Sequence, residues 1–316
     1  MATDTAGKPT SRRTVLTLGA GAALAAALPV SGNAYAAALD SSSAISRQLK
    51  DLERQHSARL GVYARNTATG RIVQYRANER FPMCSVFEPL AAAALLRDLD
   101  HDGEFLAKRI RYTEKEITDS GYAPITGKPK NLARGMTVAE LCAATICYSD
   151  NAAGNLLLRE LRGPTAITRF CRSLGDKTTR LDLWEPDLNS AEPWRKTDTT
   201  SPKAIGQTYA HLTLGTALGD EDRKQLTDWL LANTTGSEKP RAGLPSDWTI
   251  ADKTGSGKYG TNHDVGIARP PRRSPIVMAV LTTKREPDAS PGNPLITKSA
   301  TLLAEALSNF SGGAPG

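Results

Sequence analysis

Apolar positions recur at helical spacing along residues 44–60, where Ile45, Leu49 and Leu52 alternate with charged residues. Two strand-like runs follow, Leu60–Asn66 and Arg71–Tyr75, separated by the turn residues Thr67-Ala68-Thr69-Gly70. From Ser85 to Leu99 the pattern turns helical, with Ala91–Ala94 and Leu95-Leu96 as an apolar centre. Helical spacing returns over Val138–Cys147, Ala152–Leu161, Pro164–Leu174 and Pro202–Leu214. Between the last two, Arg180–Thr200 is polar and broken by Pro186 and Pro193, which predicts a long loop. Loops of that length inside a compact domain are usually functional. Strand character reappears in Trp248–Lys253, Asp264–Ala268 and Ile276–Thr283, and a helix over Leu295–Leu307 closes the pattern.

Strands at both ends of a chain can share one sheet, with the intervening helices inserted as a second lobe. The pattern therefore predicts a two-lobed α/β protein, an antiparallel sheet flanked by helices plus an inserted all-α lobe. Its expected divisions are an α/β lobe from residues 37–80 and 225–316 and an all-α lobe from 81–224.

Residues 1–36 read as an export signal. Arg12-Arg13 is a twin-arginine pair, an alanine-rich apolar stretch runs from Val15 to Val30, and Ala34-Tyr35-Ala36 supplies a small-x-small cleavage pattern. The stretch is short and glycine-broken for a membrane span. The expectation is a secreted protein, exported through a twin-arginine signal and free of the membrane once that signal is cleaved. The whole chain carries a net charge of +7, and the signal accounts for Lys8, Arg12 and Arg13 against Asp4, which leaves +5. The basic residues are scattered and their densest run, Arg269-Pro270-Pro271-Arg272-Arg273, is broken by proline. A solvated surface is expected there, not a nucleic-acid face. Cys84, Cys142, Cys147 and Cys171 would meet an oxidising compartment, where four cysteines allow three full pairings. His56, His101, His211 and His263 lie far apart and no zinc-binding spacing occurs, so neither metal nor cofactor is expected.

Four short stretches carry chemistry. Ser85-Val86-Phe87-Glu88 opens a helical run, where developing negative charge on a serine would be favoured. Taken alone it also reads as a capping box, with Ser85 as N-cap and Glu88 reaching back to its N–H. Ser149-Asp150-Asn151 falls between two helices and offers a hydroxyl and an amide. Lys253-Thr254-Gly255 ends a strand-like run with a cation, a hydroxyl and a residue that permits close approach. In the long loop, Glu185 and Asn189 stand four apart, a carboxylate and an amide able to hold and deprotonate one water. Singly, each fits a cap, a turn or a strand end. Their joint occurrence in this order is the signal.

On these stretches the chain resembles the class A serine β-lactamases over residues 37–316. Arg80–Ser85, Tyr148–Ala153, Arg180–Pro186, Asp198–Thr200 and Ala251–Gly257 carry the likeness. Serine, Ser-Asp-Asn and Lys-Thr-Gly motifs are shared with penicillin-binding proteins. The Glu-Pro-x-Leu-Asn loop, Glu185–Asn189, separates hydrolysis from cell-wall synthesis. The resemblance implies that Ser85 attacks the lactam carbonyl and that the backbone N–H groups of Ser85 and Ser256 form the oxyanion hole. It implies that Ser149 protonates the leaving nitrogen and that Lys253, Thr254, Gly255 and Ser256 receive the substrate carboxylate. Asn151 would hold the side-chain amide, and Glu185 with Asn189 would activate the deacylating water. Lys239 or Arg241 would add a further substrate-facing cation. The implied partner is a small β-lactam, met by a monomer.

The departure is Glu88, where the family has lysine. Carboxylates about 4 Å apart at an effective dielectric near 20 repel by roughly 4 kcal/mol, about three pKa units, so either Glu88 or Glu185 should keep a proton near neutrality. Acylation should be slowed by that. Three readings follow: a slow hydrolase with Glu185 as base for both steps, a non-hydrolytic β-lactam binder or sensor, or a single-base codon change on a working enzyme. The intact Glu185–Asn189 loop favours the hydrolase.

Overall fold

The computed structural model describes the backbone of residues 32–308 and the side chains of residues 44–308. The chain separates into two units, Met1–Leu39 and Asp40–Gly316. Of the first, only Gly32–Leu39 is described, as the opening turns of helix α1 (Gly32–Gln55). The export-signal reading otherwise falls on residues 1–31, outside the described residues. All the functional side chains belong to the second unit.

Five antiparallel strands form the sheet: β1 (Arg59–Asn66), β2 (Ile72–Tyr75), β3 (Thr249–Gly257), β4 (Thr261–Arg269) and β5 (Ile276–Thr283), in the order β2-β1-β5-β4-β3. The early hairpin thus joins the late strands through β1 and β5, with Val62 opposite Val280. Every residue of β5 is buried, which explains its near-continuous apolar sequence: helices cover both faces. On one face Leu60, Val62, Ala64, Met278 and Val280 pack with Ile45 and Leu49 of α1 and with Leu295, Ile296 and Leu303 of the last helix. The alternate residues, Tyr63, Val277, Ala279 and Leu281, point to the opposite side.

The helices of the second lobe gather around α2 (Glu88–Asp98), which is buried continuously from Glu88 to Leu96. A helix apolar on all sides belongs inside a bundle, and the run Ala91–Ala94 lets its neighbours approach closely. Those neighbours include α3 (Val138–Tyr148), α4 (Asn151–Glu160) and α5 (Thr165–Ser173). Next along the chain comes α6 (Pro202–Thr213), which lies on the sheet: a Cβ added at Gly206 would stand 2.9 Å from the Tyr63 ring and 3.4 Å from Ala279. The expected 224/225 division falls inside α7 (Asp220–Leu231). The apolar face of α7 is only Leu226, Trp229 and Leu230, too short a stripe to stand out from its charged surroundings. The acidic first turn Asp220-Glu221-Asp222 was the available signal. Helix α8 (Asn293–Ser308) ends the described chain. Among the described residues no helix is long and apolar enough to cross a membrane.

Candidate active site

Ser85 lies in a 3₁₀ turn, Cys84–Phe87, that feeds directly into α2. The capping-box reading fails here: α2 starts at Glu88, its N-cap is Phe87, and no side chain caps it. The Glu88 carboxylate goes elsewhere. Three contacts fix the turn. Met83 N–H donates to the Asp198 carbonyl at 2.7 Å, and the Tyr209 hydroxyl of α6 donates to the Val86 carbonyl at 2.9 Å. His263 of β4 supplies the third, its Nε2 meeting the Pro82 carbonyl at 2.8 Å. Because Thr282 N–H donates to His263 Nδ1 at 3.1 Å, Nε2 must carry the proton. Burial lowers the pKa of His263 to about 4, so the ring stays neutral and keeps that donor. Neither His263 nor Tyr209 was singled out by sequence pattern, since each acts through a backbone carbonyl distant along the chain.

Ser149 ends α3 with φ 56°, a left-handed residue that turns the chain sharply into α4. Asp150 then caps α4, and its fully buried carboxylate accepts from the N–H groups of Ile125, Thr126 and Ala153 at 2.8–2.9 Å and from the Thr126 hydroxyl. Replacing Asp150 with Ala would leave three N–H groups unpaired, two of them in buried contacts. At about 1–3 kcal/mol each, partly relieved by water, the expected loss is roughly 3–5 kcal/mol in a denaturant titration. An unchanged midpoint would show that the segment 123–126 rearranges freely. Asn151 is anchored in the same region, its Nδ2 donating to the Ser120 carbonyl at 2.9 Å.

Lys253 is fully buried in β3, and the strand continues to Gly257, so the Lys-Thr-Gly stretch lies within the strand and not at its end. Its Nζ donates to Ser149 Oγ and to the Thr254 carbonyl, each at 2.9 Å. The same nitrogen pairs with Glu88 Oε2 at 3.1 Å. Ser149 Oγ completes the triangle, 3.4 Å from Glu88 Oε1. Thr254 Oγ1 meets Thr235 Oγ1 at 2.6 Å, and Ser256 is exposed two residues on. Of the two further cations, Arg241 is taken by the buried Asp252 at 2.7 Å. Lys239 is 6 % exposed, and burial lowers its pKa to about 8.

The long loop is held as a unit. Asn155 of α4 clamps the Glu185 backbone, accepting from its N–H and donating to its carbonyl, both at 2.9 Å. The Glu185-Pro186 peptide is cis. At the base of the loop Arg195 pairs with Asp198, whose carboxylate also accepts from the N–H groups of Asp182 and Leu183. Lys258 N–H donates to the Asn189 carbonyl at 3.0 Å, tying the loop to the end of β3. Asn189 Nδ2 donates to Glu185 Oε2, while Glu185 Oε1 and Asn189 Oδ1 are buried acceptors with no hydrogen-bond partner. Asn155 carries no sequence signal, because an asparagine inside a helix says nothing about a loop 30 residues away.

Both cleft carboxylates are shifted. Burial raises the Glu88 pKa to about 7, against the pull of Lys253, Thr145 and Ser85 toward the ionised form. Glu185 is pushed well above the usual carboxylate range by burial and then by the charge of Glu88. The cysteines do not pair: Cys84, Cys142, Cys147 and Cys171 are all free and buried, which excludes the three pairings the sequence left open. Among the described residues no group of three or more histidine, cysteine or carboxylate side chains could hold a metal ion.

Comparison with known proteins agrees with this fold. The family model described as "Beta-lactamase enzyme family" matches residues 44–307. A beta-lactamase of Streptomyces lavendulae is 64% identical over 303 residues, covering 96% of this chain and 99% of its own. One from Kitasatospora aureofaciens is 61% identical, covering 95% and 98%. Among solved structures, the beta-lactamase from Streptomyces albus G superposes with TM-score 0.83 at 60% identity, over 84% of this chain and 99% of that one. A class A beta-lactamase from Clostridium kluyveri DSM 555 reaches TM-score 0.80 at 37% identity, over 84% and 98%. With the same two-lobed architecture and matches spanning almost the whole of each relative, the chain belongs to the beta-lactamase enzyme family.

Proposed function

We infer that the protein hydrolyses the amide of β-lactams through an acyl-enzyme on Ser85. The observation that carries this is the placement of Ser149 Oγ between Lys253 Nζ and the Glu88 carboxylate, at 2.9 and 3.4 Å. Serine is a weak nucleophile until a neighbouring base takes its proton, and the leaving nitrogen must receive one. Ser149 is the group that delivers it. The N–H groups of Ser85 and Ser256 stabilise the tetrahedral oxyanion, Ser85 from a rigid turn and Ser256 from a strand. Lys253, Thr254, Gly255 and Ser256 receive the substrate carboxylate, with Lys239 as the additional cation. Asn151 holds the side-chain amide. Glu185 with Asn189 positions the water that releases product, the two unpartnered acceptors Oε1 and Oδ1 being suited to it.

The protein acts as a monomer, and the twin-arginine stretch sends it out of the cell. A penicillin assay followed by absorbance, with Ser85→Ala as the blank, tests the activity. Digestion and mass spectrometry should place the transient adduct on the peptide containing Ser85. Saturable binding that survives Ser85→Ala, with no turnover in the parent, would replace hydrolysis with the binder reading.

A further inference from the structure

Glu88 is the one cleft residue whose chemistry the family pattern does not supply. The structure rules out its simplest explanation, a helix cap, since the carboxylate does not return to the Ser85 backbone. It is fully buried on the first turn of α2, three residues from Ser85. Its Oε1 stands 3.4 Å from Ser149 Oγ and its Oε2 pairs with Lys253 Nζ at 3.1 Å. Ser85 and Thr145 also favour its ionised form. A carboxylate in contact with the proton-donating hydroxyl and a cation, and one turn along the chain from the nucleophilic serine, is positioned to carry a proton between the two hydroxyls.

We propose that Glu88 is the general base of acylation, taking the proton of Ser85 Oγ and returning it by way of Ser149 to the lactam nitrogen. The proposal rests on the β-lactam hydrolysis reading above. As the bond from Ser85 Oγ to the lactam carbonyl carbon forms, the Oγ proton passes to Glu88. When the C–N bond breaks, its electron pair stays on nitrogen, and Ser149 gives nitrogen its hydroxyl proton. Glu88 then reprotonates Ser149 Oγ and returns to a carboxylate. Lys253 holds the Ser149 Oγ and Glu88 Oε2 oxygens in place. Nothing is consumed beyond the lactam amide. The 3.4 Å between Glu88 Oε1 and Ser149 Oγ is loose for proton transfer, as catalytic hydrogen bonds commonly are before substrate binds.

A counter-ion to Lys253 with no proton to carry is the competing role, and pH separates the two. The charged and titratable groups facing Glu88 are Lys253 from β3, Glu185 from the long loop and Tyr209 from α6. Burial outweighs the Lys253 cation and leaves Glu88 titrating at about 7. A base must be ionised to act, so acylation should rise with pH through that region. A mere counter-ion gives no such rise.

The experiment is single-turnover acylation by a penicillin, read by intact-protein mass spectrometry from pH 5 to 9 in the Glu185→Gln background. That background removes the second cleft carboxylate and lets the adduct accumulate. The expected result is one rising limb near pH 7. Adding Glu88→Gln should lower the rate by about 10²-fold and flatten the limb, the usual scale for losing a general base. Glu88→Asp, which keeps the carboxylate on a shorter arm, should retain the limb and recover part of the rate. Acylation by Glu88→Gln within about threefold of its background, with the limb intact, would overturn the proposal. Adducts on Glu88→Lys but none with Glu88 present would overturn it too, leaving hydrolysis by the fold standing. No adduct on any variant, Glu88→Lys included, would instead sink the hydrolase reading and the base role with it.

Discussion

Replacing Glu88 with lysine is expected to raise steady-state penicillin hydrolysis by about 10²–10³-fold, with most of the gain in deacylation. The reason is the state of Glu185. Burial and the neighbouring Glu88 charge both hold its pKa well above the usual carboxylate range, which favours the protonated acid that cannot activate water. A lysine at 88 reverses the sign of the nearest charge. For groups about 4 Å apart at an effective dielectric near 20, the interaction is worth roughly 4 kcal/mol, or about three pKa units. Glu185 would then ionise at a lower pH than in the parent. Lys253 would also lose its 3.1 Å carboxylate partner and be freed for the substrate. The sign of the pH effect follows. With both carboxylate pKa values raised, hydrolysis by the parent should climb as pH increases through 7, whereas Glu88→Lys should reach its plateau at lower pH. Steady-state kinetics across pH 5–9 check both parts. Equal kcat and superimposable profiles would mean that Glu88 does not govern Glu185.

Much of this arrangement is legible in the sequence. The alternating apolar residues of Leu60–Asn66 and the β-branched run Ile276–Thr283 became neighbouring strands, since period-two patterning encodes which face each side chain takes. Ser149, Lys253, Glu185 and Asn189 could be picked out because their spacing is local and their residue types chemical. What failed to show was pairwise and long-range. Nothing in Ser-Val-Phe-Glu says that Glu88 prefers a lysine 165 residues away to the helix end beside it; that preference is set by the buried ammonium, which needs a counter-charge. The Asn155 clamp and the neutral His263 are hidden for the same reason. Each satisfies a backbone group brought near by tertiary packing. The cysteines illustrate the converse: their compartment argued for pairing, but the fold buries each one separately in the helical lobe or behind Ser85. Helix α7 escaped because three apolar residues bury enough when they land on an existing core.

Glu185→Gln is expected to leave acylation within a few-fold of the parent and to slow deacylation by roughly 10²–10⁴-fold, so that the penicilloyl adduct persists. The substitution is nearly isosteric. Its backbone stays clamped by Asn155 at both N–H and carbonyl, and the loop base stays pinned by Arg195 and Asp198. The loss is therefore chemical. An amide in place of the carboxylate cannot take a proton from the water that Asn189 helps to hold. Because burial and the Glu88 charge raise the Glu185 pKa, the gap between the two proteins should widen as pH rises and the parent's carboxylate ionises. That trend distinguishes a lost base from a lost contact, which would cost the same at every pH. Quench-and-mass measurements after a stoichiometric pulse of penicillin read the adduct lifetime directly. If the adduct on Glu185→Gln decays as fast as on the parent, the water is activated by another group, and Glu88 becomes the carboxylate to test for that step as well.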